Sequence, residues 1–280
     1  MATWLANSGR AARLAIDRSD LWFAGAVVAF AGAGWIVLLG TVTPPPDGAD
    51  AAELGLALAE SGWWPWNLVV LAVAIVSGLA CLLLVIAFGE VAILIGLADP
   101  LTDDPPPTVP RAMAALSLPA LLVGLGALAV GWLTTPTIFG LVTGPNADAP
   151  LAVRVVAAAW PYLVVLGIGI VLAQALGAAR LHRPRRARVG PSLGPLWLVA
   201  QAVVTLAAFL VFQLVTAVTL AVLWEPLARR LAGAGLTEPT TLVLLLGFVW
   251  IWLVLVIMAG VVQAWISAWW EIELAPRGGG

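Results

Sequence analysis

The chain of 280 residues carries a formal net charge of −2, is 62% hydrophobic and is only 10% charged, with a mean hydropathy of +1.05. Soluble domains carry about 25% charged residues, so this chain lacks the polar surface to coat a water-facing globule, and its composition points to an integral membrane protein. All thirteen basic residues are Arg and form no basic field over a whole face, which argues against nucleic acid as a partner. The single cysteine, Cys81, excludes an internal disulfide and a multi-cysteine metal site.

Taken in chain order, residues 4–16 place Leu5, Ala12 and Ile16 on one side of a helix and Arg10 and Arg13 on the other. That pattern suits a helix lying at a membrane surface, so residues 1–20 read as an amphipathic surface segment. The first apolar span, about 21–42, lacks a small-residue cleavage site after it and reads as a retained anchor, not a signal peptide. Residues 50–60, with Asp50, Glu53 and Glu60 beside Leu54 and Leu58, suit a short acidic amphipathic helix. Five further spans follow at about 67–97, 112–142, 151–179, 195–223 and 240–270. Each supplies the ~20 apolar residues needed to cross a ~30 Å hydrocarbon core.

The third span holds Pro119 and Pro136 around Gly124, Gly126 and Gly131, a composition that permits a kink. Gly169, Ala173 and Gly177 recur one turn apart in the fourth span, as do Gly25 and Ala29 in the first, marking faces where helices approach closely. In "WEPLARRLAGAG" Pro226 suits a first helical turn, Leu227 and Leu231 share a face and Gly233 suits the end, so a separate surface helix is expected there. The expected fold is all-α: a polytopic transmembrane helix bundle of six spans over residues 21–270, with 271–280 as a tail.

Arginines set the orientation. With the N-terminus inside, the inner segments hold Arg10, Arg13, Arg18, Arg111, Arg180, Arg183, Arg185, Arg186, Arg188 and Arg277, against Arg154, Arg229 and Arg230 outside. This predicts N-in, C-in topology, both termini cytoplasmic, in the plasma (inner) membrane of a bacterial-type cell. Trp63, Trp64, Trp66, Trp160 and Trp224 fall at the expected outer edges and Trp22, Trp197, Trp269 and Trp270 at the inner ones, where indoles form interfacial belts.

Glu90 interrupts the apolar run "LVIAFGEVAILIGLADP". An ionised acid at the bilayer centre costs about 2.5–3.5 kcal/mol even on the mildest scale. Counted from Leu68 at ~1.5 Å per residue, however, Glu90 lies about 33 Å along its helix, at the inner boundary. Ser117, Gln174, Gln201 and Gln263 fall at similar depth. These five residues are expected to form one polar layer near the inner leaflet. Two explanations stand open: interhelical hydrogen bonds that fasten the bundle, or a site that lines an inward-facing vestibule or binds a lipid headgroup. At the midplane only Ser77, Cys81 and Thr205 are expected.

The run "ARLHRPRRARVGP" brings Arg180, Arg183, Arg185, Arg186 and Arg188 together. It reads as a topology determinant or as an attachment to anionic lipid headgroups, worth about 1 kcal/mol per Arg near the surface. His182 has no Cys or carboxylate at metal-ligand spacing, and Glu271 and Glu273 diverge on a helix. No nucleophile elbow, phosphate loop or dinucleotide fingerprint occurs. Neither a catalytic residue, a metal nor a cofactor is expected.

The opening "RLAIDRSDLWFAG", the "FGEVAILIGLADP" end of the second span and the "WISAWWEIEL" end of the last resemble a loose group of uncharacterised bacterial six-helix integral membrane proteins. The resemblance implies topology alone. The functional expectation is a non-catalytic accessory or scaffold protein in the lipid bilayer, packing with a partner subunit or with itself. The alternative is a small transporter or lipid-handling permease with an inward-facing site around Glu90.

Overall fold

The computed structural model describes residues 2–43, 53, 56–57, 60–63, 65–101, 107–143, 151–182, 195–236 and 238–274, and all regular structure among them is helical. Helix α1 spans Ala2–Asp17, and a bend at Arg18 and Ser19 leads into α2, Asp20–Ala29. A π-helical segment, Phe30–Gly34, joins α2 to α3, Trp35–Val42. The remaining long helices are α4 (Trp66–Leu101), α5 (Val109–Thr143), α6 (Leu151–Leu181), α7 (Pro195–Ala234) and α8 (Pro239–Leu274). Six stretches are long and apolar enough to cross a membrane: Asp20–Val42, Val69–Ala98, Val109–Thr134, Ala159–Leu181, Leu196–Gly233 and Pro239–Leu274. Their outward faces carry bare apolar side chains such as Val70, Leu128, Trp132, Leu214 and Trp250. Such a surface belongs in hydrocarbon, where helices satisfy their own backbone groups.

Successive long helices run antiparallel and pack in a ring, α2–α4–α5–α6–α7–α8, with α8 also touching α1 and α4. The start of α2, the end of α4, the start of α5, the end of α6, the start of α7 and the end of α8 therefore meet at one closed end. Three of the four buried apolar clusters lie there. One joins Ala11 and Ala15 of α1 to Leu21, Ile93, Leu97, Ala264 and Trp269. A second joins Ala87 and Leu94 to Ala112 and Leu181, and a third joins Ala175 and Ala202 to Ile266 and Trp270. The fourth, around Leu220, Leu227 and Phe248, holds α7 to α8 near the opposite end, with Val37 and Leu38 of α3 packed on it.

Glycines set the closest crossings. A Cβ on Gly25 would overlap the backbone oxygen of Gly260, and one on Gly260 would overlap the Trp22 carbonyl and the Ala26 amide. The α2–α8 backbones therefore touch directly, as small residues allow. Gly89 and Gly96 of α4 accommodate Val28 and Leu21 of α2 in the same way. In α6 the Ala173–Gly177 part of the small-residue face is buried, with Gly177 against Pro119, while Gly169 is exposed. Pro119 thus fills a packing contact, and α5 runs unbroken through it.

Several expectations are corrected. The fifth span does not stop at 223. Helix α7 continues through Pro226 to Ala234 because Leu227 is fully buried against the α8 packing cluster, and the stop falls at Gly235, whose φ of 69° suits glycine. Trp269 and Trp270 are 1% and 2% exposed, so they are core residues and not interfacial indoles. The packed face of α1 is Trp4, Ala11 and Ala15, whereas Leu5 and Ile16 point away from the bundle. Trp4 meets Trp269 at 4.7 Å between ring centroids and Trp197 at 6.2 Å, and Trp22 Nε1 donates to the Ala15 carbonyl. These contacts dock α1 onto the closed end. Residues 271–274 continue α8 and do not form a tail, with Glu273 and Leu274 buried. Of the acidic segment 50–60, Glu53, Leu56, Ala57 and Glu60 are helical; Asp50, Leu54 and Leu58 lie outside the described residues, as does Trp64.

Candidate functional site

The five polar residues expected to form one layer fall toward the closed end in separate groups. Glu90 and Gln263 both sit about 17 Å from the ends of α4 and α8 at ~1.5 Å per residue. Glu90 is 6% exposed, and each of its oxygens has a partner. Gln263 Nε2 donates to Oε1 at 2.6 Å, and Ser267 Oγ donates to Oε2 at 3.0 Å. Gln263 and Ser267 are one turn apart on α8, so one helix face presents both donors to one carboxylate. The Glu90 carboxyl is thereby held between α4 and α8 by two hydrogen bonds.

Gln174 and Gln201 belong to a second group, between α6 and α7. Gln174 Nε2 donates to Thr205 Oγ1 at 3.4 Å, and Thr205 in turn donates to the Gln201 carbonyl of its own helix at 2.8 Å. Gln201 is fully buried with both amide atoms unpartnered. Ser117 joins neither group. It is exposed on α5, and its hydroxyl reaches only the Ala114 carbonyl. Glu90 thus joins α4 to α8 and Gln174 joins α6 to α7, whereas Gln201 and Ser117 make no side-chain hydrogen bond to another helix.

Two further contacts complete the closed end. His182 Nδ1 lies 2.9 Å from Glu271 Oε1, joining the end of α6 to α8, with both side chains largely buried. Glu273 turns the other way and accepts from Asn7 Nδ2 at 2.9 Å, tying in α1. The two acids of the "WEIEL" stretch do diverge, and each finds its own helix. Among the described residues no group of three or more His, Cys, Asp or Glu is arranged to hold a metal. Arg180 is exposed at the end of α6, while Arg183, Arg185, Arg186 and Arg188 lie outside the described residues.

Sequence reasoning missed Ser267, the His182–Glu271 contact and the buried pair Gln213 and Thr216. Ser267 carried a usable signal, since it stands four residues after Gln263 on a helical face. His182 and Glu271 are separated by 89 positions, and only the antiparallel order of the spans brings their ends together. Gln213 and Thr216 are 7% and 8% exposed on α7, two to three turns beyond Thr205.

No protein-family model, curated protein or solved structure matches the chain. The class defined by the fold is that of a six-span helical membrane protein.

Proposed function

We propose that the chain is a non-catalytic accessory or scaffold protein of the plasma membrane, with both termini cytoplasmic, which packs with a second copy or a partner subunit inside the bilayer. One observation carries the reading. Every residue of α4 from Val69 to Cys81 is exposed. Thirteen consecutive residues cover more than three turns, so this half of α4 presents all its sides, whereas a helix within a bundle hides at least one. Ala74 and Gly78, and Ser77 and Cys81, form small-residue pairs one turn apart on it, the surface on which membrane helices pack.

The engagement of both Glu90 oxygens within the bundle supports a fastening role for the acid and argues against an inward-facing transport site around it. The arginine asymmetry supports the orientation, and Arg180 with its neighbours would meet anionic headgroups on the cytoplasmic side. The resemblance to uncharacterised bacterial six-helix proteins adds topology only.

Cys81 supplies the test, because it is the sole cysteine and is exposed. Oxidative crosslinking in native membranes should yield a Cys81-dependent dimer, or a conjugate with a partner, that disappears in Cys81→Ser. A wild-type chain that stays uncrosslinked and monomeric by mass in membranes would count against the proposal, as would solute transport by the purified protein alone in liposomes.

A further inference from the structure

Helix α1 has three faces, and only one of them packs. At about 3.6 residues per turn, Trp4, Ala11 and Ala15 share the docked face. Ala11 and Ala15 are fully buried in one cluster with Ile93 and Leu97 of α4 and Ala264 and Ala268 of α8, and Trp4 reaches Trp197 near the start of α7. Trp265 Nε1 donates to the Ser8 carbonyl at 3.2 Å, which holds the middle of α1 on α8. These contacts carry α1 across the closed end from α4 to α7.

The other two faces are bare. Leu5 and Ile16 lie on one edge of α1, each 60% exposed. Arg10 and Arg13 stand on the remaining face, both exposed. An apolar edge beside a cationic one suits a helix lying in an interface, with its aliphatic side chains among acyl chains and its cations among headgroups. The depth of α1 agrees. Its cluster partners Ile93 and Leu97 lie about one and two turns beyond Glu90, toward the end of α4. Phe23, in the first turn of α2, is 79% exposed and suits the edge of the hydrocarbon. Helix α1 therefore sits just past that edge, at headgroup level.

Arginines elsewhere in the bundle are matched by acids of the chain itself. Arg229 pairs with Glu225 and Arg230 with Glu238 at the far end, and Arg18 pairs with Asp20 at the bend. Arg10 and Arg13 form no ion pair among the described residues, and Asp17, one turn after Arg13, makes none with it. Two guanidinium groups are thus left facing outward at headgroup level, and their planar forks match the oxygens of a phosphate.

We propose that the two bare faces of α1 bind anionic phospholipid of the leaflet at the closed end, Arg10 and Arg13 holding the phosphate headgroups while Leu5 and Ile16 enter the acyl-chain region beside them. Because the docked face of α1 bridges α4, α7 and α8, lipid that holds α1 in the interface also holds these three helix ends together. The site is separate from Arg180 at the end of α6 and independent of the packing role proposed for α4. Micelles and nanodiscs offer the same lipid to both ends of the bundle, so the outcome does not depend on which way the chain is inserted.

The test titrates the full chain in dodecylmaltoside micelles with phosphatidylglycerol in one arm and phosphatidylcholine in the other, retained lipid being followed by native mass spectrometry. Phosphatidylglycerol should bind the more tightly. Arg10→Gln and Arg13→Gln should each weaken it about fivefold, and the double change about twenty-five-fold; Asp17→Asn should strengthen it. Depth is read separately in nanodiscs of equal parts of the two lipids, from nitroxide labels on Leu5→Cys, Ile16→Cys and Ala6→Cys in the Cys81→Ser chain. All three sites are exposed, so the fold should tolerate the labels. Labels replacing Leu5 and Ile16 should be relaxed by oxygen, and the one replacing Ala6, on the arginine side, by a water-soluble nickel chelate. Equal retention of the two lipids by the wild type would overturn the proposal, as would undiminished affinity in the double variant. Nickel-accessible labels at Leu5 and Ile16 would also overturn it, since α1 would then lie in water.

Discussion

Replacing Glu90 by Leu tests whether the acid fastens α4 to α8. The substitution removes two hydrogen bonds, from Gln263 at 2.6 Å and from Ser267 at 3.0 Å. Interhelical hydrogen bonds in membranes average about 0.6 kcal/mol and reach about 1.7, so two short bonds to a carboxylate contribute about 1–3 kcal/mol. Stranding Ser267 adds little, because its hydroxyl can fall back on its own helix. Glu90→Gln should cost less than about 1 kcal/mol, since an amide can accept from Gln263 and donate to Ser267. The triple change Glu90→Leu, Gln263→Leu, Ser267→Ala should recover most of the loss, because replacing all partners leaves no polar group unmet. The assay is reversible unfolding of the full chain by sodium dodecyl sulfate in mixed micelles, followed by circular dichroism. A Glu90→Leu protein as stable as wild type would refute the reasoning, as would a triple variant no better than the single one.

Two other substitutions probe the closed end by the same assay. Gly260→Ala drives a methyl into the Trp22 carbonyl and the Ala26 amide, so the α2–α8 crossing must widen, at about 1–3 kcal/mol; Gly124→Ala, which meets open space, should change stability by no more than a few tenths. His182→Ala strands Glu271 in a largely buried pair and should cost about 1–3 kcal/mol, little affected by salt, whereas Glu225→Ala breaks only the exposed pair with Arg229 and should cost about 0.5 kcal/mol or less.

The six spans were legible because apolar length and Pro/Gly punctuation report local properties. So was the common depth of Glu90, Gln174, Gln201 and Gln263, since rise per residue is constant along a helix. Which of those residues meet was not legible, because depth fixes position along the bundle axis and says nothing about rotation or neighbour order. Glu90 meets Gln263 only because α4 and α8 both flank α2 in the ring. The boundary at Pro226 misled for a related reason. Proline is a local stop signal, but burial of Leu227 is a tertiary contact that carries the helix past it. Trp269 and Trp270 show the limit of the belt argument: interfacial depth suits a lipid-facing indole and a packed one equally, and here Trp4 of α1 occupies the place of lipid against Trp269.

Polar groups along the bundle are of two kinds, paired and unpaired. At the closed end Glu90, Gln263, Ser267, His182 and Glu271 satisfy one another across α4, α6 and α8, and three apolar clusters surround them. Such a region is expensive to open. Gln201, at the same end, is the exception with both amide atoms unpartnered, and further along α7 Thr216, facing the π-helical segment beside Gln213, likewise keeps its hydroxyl unpaired.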